Sequence, residues 1–163
     1  HANRSRIETG EIESVWEHAI HPGLDTYTGP IFEIMAKEGF RRFRQGWGLP
    51  AIDEWQRWEG RDRDRRPLEI DIVARLDDGK MLTGEVKWSS SPVNEELHHG
   101  LVRDLESLAQ SGQLWARHAL DRDASHGHIY VSAAGFTDTF QSLARSQAIR
   151  LVRLNELYEY IGD

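Results

Sequence analysis

The stretch from Leu68 to Trp88, LEIDIVARLDDGKMLTGEVKW, constrains this chain more than any other. Leu68, Ile70, Ile72, Ala74 and Leu76 alternate with Glu69, Asp71, Val73 and Arg75, the period of a strand with two unlike faces. After Asp77-Asp78-Gly79 the alternation resumes, with Leu82, Gly84, Val86 and Trp88 set against Thr83, Glu85 and Lys87. Two alternating runs about a turn of this composition predict a β-hairpin.

The turn decides what faces what. A two-residue loop at Asp78-Gly79 sets Asp71 against Val86 and Ile70 against Lys87. A three-residue loop, with Asp77-Asp78 in a type I turn and Gly79 left-handed in a G1 bulge, moves the register by one. Ala74 then meets Leu82, Ile72 meets Gly84, Ile70 meets Val86 and Leu68 meets Trp88, while Asp71 lies opposite Glu85 and Glu69 opposite Lys87. This second register matches apolar with apolar and is preferred, because a slip of one residue turns a strand's core face outward. It brings Asp71, Glu85 and Lys87 to one face of two neighbouring strands.

Around this hairpin the chain alternates helices and strands. Residues 1–26 read as an N-terminal linker with a short helix over Glu11 to Ile20, and 27–163 as one domain. A helix is expected from Thr28-Gly29-Pro30, with proline in the first turn, where its missing N–H costs nothing. Its apolar stripe runs through Phe40 and Phe43, and Gly46 is its stop. Trp55 and Trp58 suggest a strand whose aromatics cover a core edge. Ser89-Ser90-Ser91-Pro92 reads as a capped helix start, followed by Leu97, Leu101, Leu105 and Leu108 at helical spacing. Beyond it come a helix from Gln113 to Leu120, a strand over His128 to Ala134, a helix over Thr137 to Ser146, a strand over Ile149 to Leu154 and a last helix capped by Asn155. The expected class is α/β, a mixed β-sheet with helices on both faces.

Net charge is −7, which argues against a whole-surface nucleic-acid binder. Between Arg41 and Arg66, however, eight arginines stand against five acids. The alternating signs of RDRDRR favour a solvated loop there over an anion-facing patch. Cysteine is absent, which removes thiol chemistry and is compatible with a cytoplasmic setting. No apolar run approaches the ~18 residues of a membrane span.

The chemistry on offer is that of the hairpin face. Asp71 and Glu85 as cross-strand neighbours repel, with Cβ atoms ~5 Å apart, and two desolvated carboxylates need a partner. A divalent cation removes the repulsion, and hard oxygen donors select Mg²⁺ or Mn²⁺. Lys87, two residues on, points into the same place, where it can hold a water or steady charge growing on a phosphoryl group. Taken alone, Glu-x-Lys is commonly a solvated strand face. Glu33 lies in the early turns of the first domain helix, where most glutamates merely favour the helix N-terminus. His98-His99 reads as exposed, and His126-x-His128 as a weak metal pair without a third ligand.

Asp71, the turn and Gly84-Glu85-Val86-Lys87 together resemble the core of the PD-(D/E)xK nuclease superfamily, the restriction-endonuclease-like fold. GPIFE, with Glu33, is similar to the first helix of many members. EIDIVA with GEVKW, and later GHIYVSAAGF and IRLVRLNELY, resemble the C-terminal domain of archaeal-type AAA+/STAND ATPases over roughly Tyr27 to Ile161. Ile70, not proline, precedes Asp71, at a position that varies in the superfamily. The resemblance implies a DNA endonuclease, with Asp71 and Glu85 holding Mg²⁺ or Mn²⁺, Lys87 catalytic and Glu33 an auxiliary carboxylate. It also implies an ATPase domain in the same polypeptide. No GxxxxGK(S/T) phosphate loop occurs here, so any ATP chemistry is expected in a preceding segment. The competing reading is a catalytically silent domain of the same fold that docks DNA or a protein for the ATPase.

Overall fold

The computed structural model describes residues 28–157. The chain divides into two compact units, His1–Phe32 and Glu33–Asp163, and the sheet and the site both belong to the second. The helix expected over Glu11 to Ile20 and the last turns after Leu157 lie outside the described residues. The elements are α1 (Thr28–Phe43), β1 (Ile52–Arg61), β2 (Pro67–Leu76), β3 (Met81–Lys87), α2 (Glu96–Gln110), α3 (Leu114–Leu120), β4 (Ser125–Ser132), α4 (Asp138–Ser146) and β5 (Ile149–Arg153), with a 3-10 turn at Leu154–Leu157.

The five strands form one sheet in the order β1-β2-β3-β4-β5. The first three are antiparallel, and β4 and β5 continue the sheet in parallel after helical crossovers. This is the mixed sheet of the α/β class that the alternation of elements predicts. Among the described residues no helix is long and apolar enough to cross a membrane.

The β2–β3 hairpin has the predicted turn. Gly79 is left-handed at φ 81°, its N–H reaches the Leu76 carbonyl at 2.8 Å, and the Leu76 N–H reaches the Lys80 carbonyl at 3.0 Å. The register follows, with Ala74 opposite Leu82 and Ile72 opposite Gly84. On the face with Ala74 and Leu82, Trp55 stacks against Phe40 of α1 with ring centroids 5.6 Å apart. On the other face Val73, Met81 and Tyr130 pack with Leu101, Leu105 and Leu108 of α2, Ala116 and Ala119 of α3 and Phe140 of α4. Helices therefore cover both sides of the sheet.

Four details differ from the sequence expectation. The ladder between β2 and β3 ends at Ile72 and Gly84, so Asp71–Glu85, Ile70–Val86, Leu68–Trp88 and Glu69–Lys87 are not formed as ladder pairs. The cause is a bulge: Gln56 faces Val73 but Trp58 faces Ile70, so β2 takes three steps where β1 takes two. Ile70 and Leu68 consequently join the core beneath α2. The second difference is the start of α2, which begins at Glu96 rather than after Ser91. Val93 first bridges to Phe136, and the Ser89 hydroxyl bonds the Ser91 carbonyl at 2.8 Å instead of capping a helix. The third is His98. It is buried, because it shares the inward stripe of α2 with Leu101 and finds the Tyr130 hydroxyl at 2.8 Å. The last is α1, which stops at Phe43, before Gly46.

Candidate active site

The bulge on β2 falls at the aspartate that matters. Asp71 and Ile72 both lie opposite Arg57 of β1. Past Ile72 the two hairpin strands part, and the Asp71 side chain takes over where the backbone ladder stops. Its Oδ2 accepts the N–H of Val86 at 2.9 Å. This bond pins a carboxylate between the separating strands, the kind of re-aiming for which bulges serve beside functional sites.

Glu85 is the register partner of Tyr130, and Lys87 that of Ser132. Alternation therefore sets Glu85 and Lys87 on the same face, two residues apart. Lys87 Nζ stands 3.5 Å from Glu85 Oε2, and Glu85 also lies within hydrogen-bonding reach of Asp71. The side chain of Glu85 is only 11% exposed, whereas Lys87 is 44% exposed. Burial, followed by the charge of Asp71, pushes the Glu85 carboxyl up to about 8, and Lys87 offsets only part of this. Beside them the Ser132 hydroxyl is buried with no hydrogen-bond partner among the described residues.

Glu33 of α1 lies close enough to Asp71 to feel its charge, and it pairs with Arg57 of β1. The Arg57 guanidinium lies 3.5 Å from Glu33, 3.1 Å from Glu59, and in contact with Glu69. Glu59 and Glu69 are direct cross-strand partners, so one guanidinium relieves a like-charge pair and fixes the helix glutamate at once. Burial raises the Glu33 carboxyl above the ordinary range; Arg57 opposes this, and the charges of Asp71, Glu69 and Glu59 add to it. Arg57 is the neighbour of Glu33 that the sequence did not reveal. Nothing in its spacing between Trp55 and Trp58 distinguishes it from a solvated strand residue.

The structure thus brings Glu85 against both Asp71 and Lys87, with Glu33 close enough to Asp71 to feel its charge. The donor set suits a hard divalent cation. Two carboxylates converge where Lys87 compensates them only in part, and a buried hydroxyl lies close by. Among the described residues no third carboxylate or imidazole completes a three-ligand cluster. A cation there would take its other ligands from water, backbone or phosphate oxygens, the pattern that Mg²⁺ favours. The histidines are engaged elsewhere. His126 Nε2 meets Asp78 at 2.7 Å and His128 Nδ1 meets the Thr83 hydroxyl at 2.9 Å.

Residues 1–99 match the family DUF234, described as archaea bacterial proteins of unknown function. The chain belongs to this family. No curated protein matches the sequence. Among solved structures, this DUF234 chain resembles AF1548, a protein of unknown function, with a TM-score of 0.48 and 15% identity over 80% of this chain and 67% of that one. It also resembles a repair endonuclease from Pyrococcus abyssi, with a TM-score of 0.41 and 14% identity over 73% of this chain and 44% of the other. EndoMS in its apo form gives a TM-score of 0.38 and 11% identity over 69% and 43%. The DUF234 chain spans less than half the length of either endonuclease.

Proposed function

We propose that this chain is a divalent-metal-dependent phosphodiesterase of the PD-(D/E)xK kind that cuts nucleic acid, with DNA as its substrate, working beside an ATPase domain of the same polypeptide. One observation carries the reading. Asp71, anchored on the Val86 N–H, abuts the buried Glu85, whose carboxyl is raised to about 8, and Lys87 reaches both solvent and Glu85.

In this reading Asp71 and Glu85 hold Mg²⁺ or Mn²⁺. The cation supplies Lewis acidity toward a phosphoryl oxygen when bound. Lys87 does what a half-exposed ammonium at such a spot can do: it donates to a phosphoryl oxygen and steadies the charge that grows there, or it orients the attacking water. Hydrolysis forms one P–O bond from that water and breaks the P–O bond to the leaving sugar oxygen. Glu33, held by Arg57, adds a carboxylate at the rim that can accept a proton from water. Arg57 acts as a positioning residue for Glu33 and Glu69.

The test has two arms. Calorimetric titration with Mn²⁺ is expected to show site binding that Asp71→Asn abolishes. Nicking of plasmid DNA in Mg²⁺ or Mn²⁺ is expected to fall about 10²- to 10³-fold in Lys87→Ala, the loss typical of removing one donor to a developing charge. Nicking indifferent to Lys87→Ala removes the catalytic assignment. Absence of metal binding leaves a docking domain of nuclease shape.

A further inference from the structure

The β1–β2 hairpin turns through Asp62–Arg66 in the manner of the β2–β3 hairpin. The Arg65 N–H reaches the Asp62 carbonyl at 3.0 Å, and the Asp62 N–H reaches the Arg66 carbonyl at 3.0 Å. The left-handed position that glycine fills in the second hairpin is here Arg65, at φ 63°. It is the one non-glycine residue with positive φ among the described residues. A side chain with a Cβ is strained there, and glycine is not.

The strained tip is also firmly held. Asp62 is buried. Its carboxylate accepts the N–H groups of Asp64 and Arg66 at 3.0 and 2.9 Å and the Ser107 hydroxyl of α2 at 2.9 Å. Arg66 crosses to Asp104 at 2.9 Å, and the Arg63 N–H bonds the Ser111 hydroxyl at 2.7 Å. Arg61 closes the turn from inside, donating to the Arg65 carbonyl at 2.8 Å. The bracing thus consumes the guanidiniums of Arg61 and Arg66. Those of Arg63 and Arg65 have no carboxylate partner among the described residues and stand exposed. The alternating signs that suggest a solvated loop conceal a division of labour. Asp62 is a buried brace, and the free cations are at the apex.

We propose that the Asp62–Arg66 turn is a preset contact for the sugar-phosphate backbone of a nucleic acid, with Arg63 and Arg65 as its phosphate ligands. Guanidinium forks suit phosphate oxygens. The segment Arg61–Arg66 consists only of charged residues, so it has no apolar side chain to insert into a membrane. It rises from the same strand as Asp71. Pro67 and Asp71 are four residues apart, about 13 Å of strand, so one nucleic-acid strand can run from tip to site. The proposal rests on the nucleic-acid half of the reading above and not on cleavage.

The experiment is anisotropy of a short labelled duplex DNA with the whole chain in EDTA, across a salt series. Three proteins are compared: wild type, Arg65→Gly and Arg63→Ala/Arg65→Gly. Arg65→Gly is expected to raise the melting midpoint by about 2–4 °C while weakening DNA binding several-fold. The double variant is expected to reduce the slope of log affinity against log salt by about 1 per arginine removed. A change that stabilises the fold yet weakens binding is what a merely structural arginine would not produce. Unchanged affinity and slope overturn the proposal. So does a lower midpoint in Arg65→Gly, or an equal loss of binding to anionic vesicles or an acidic peptide. Plasmid nicking by the wild-type chain in Mg²⁺ keeps the two readings apart: a chain that nicks nothing yet binds the duplex in EDTA with the arginine-dependent salt slope defeats the catalytic reading and leaves this one standing.

Discussion

Strand β2 is turned over at both ends by the same hydrogen-bonded device, and the two ends have opposite characters. At the Leu76–Lys80 end the left-handed residue is glycine, the ladder is regular from Arg75–Met81 to Ile72–Gly84, and Ile72, Ala74, Leu76 and Leu82 are fully buried. At the Asp62–Arg66 end the left-handed residue is arginine, a bulge interrupts the ladder, and Asp71, Glu69, Glu59 and Arg57 gather where the strands part. The first end keeps a regular β2–β3 ladder that fixes the hairpin register, its irregularities confined to the neighbouring pairs at Ile52/Glu54 and Met81/Thr83. The second departs from several local rules, and the candidate chemistry lies there. Departures of this kind concentrate at functional sites because regular strands leave no room for a ligand.

The largest expected effect comes from disturbing the regular end. Gly84 sits where β3 meets β4, and a Cβ added to it would lie 1.8 Å from the Ile129 carbonyl oxygen. Backbone cannot yield as a flexible side chain can. Gly84→Ala is therefore expected to cost about 2–3 kcal/mol, the scale of overpacking in a core, and chemical denaturation measures it. A loss below 1 kcal/mol would mean that this end is more plastic than its regularity implies.

A change at the open end should move stability the other way, and only at high pH. Glu85 has a folded-state pKa of about 8 against an ordinary value of 4.5. Between those values the folded chain keeps a proton that the unfolded chain has released, so stability falls as pH rises through that window and levels off above it. Glu85→Gln carries no charge to bury. Its melting midpoint in EDTA should match wild type at pH 4 and exceed it by a few degrees at pH 9. A wild-type profile as flat as the variant's would show that Asp71 and burial do not strain Glu85.

The two ends also differ in how legible they are in sequence. The Gly79 turn and its register follow from glycine placement and from matching Ile72 with Gly84 and Ala74 with Leu82, both local properties. The bulge does not follow, because Leu68 to Leu76 alternates without a break. It is tertiary demand that draws Leu68 and Ile70 under α2 and swings Glu69 toward Arg57. Asp71 still comes against Glu85, through a side-chain bond to the Val86 N–H rather than through the ladder. His98 misleads for a related reason: its burial depends on a tyrosine hydroxyl thirty-two residues away in sequence. Alternation thus set Glu85 and Lys87 on one face, but the contact of Asp71 with Glu85 comes by a route it did not show, and Arg57, which pairs with Glu33, gave no local signal.

The smallest effect is the most direct test of the contrast. The two turns share their backbone hydrogen bonds but not their side-chain braces, and exchanging the left-handed residue tests how much of the difference is backbone strain. Gly79→Ala places a Cβ in the left-handed position of the regular end and should destabilise by about 1 kcal/mol; Arg65→Gly removes one from the strained end and should stabilise by a similar amount. Denaturant midpoints of the two variants should therefore move in opposite directions from wild type, with unchanged m-values, because neither change alters the surface exposed on unfolding. If Arg65→Gly destabilises instead, the arginine is holding its turn together through its own contacts, and the difference between the two ends is one of packing rather than of strain kept for binding.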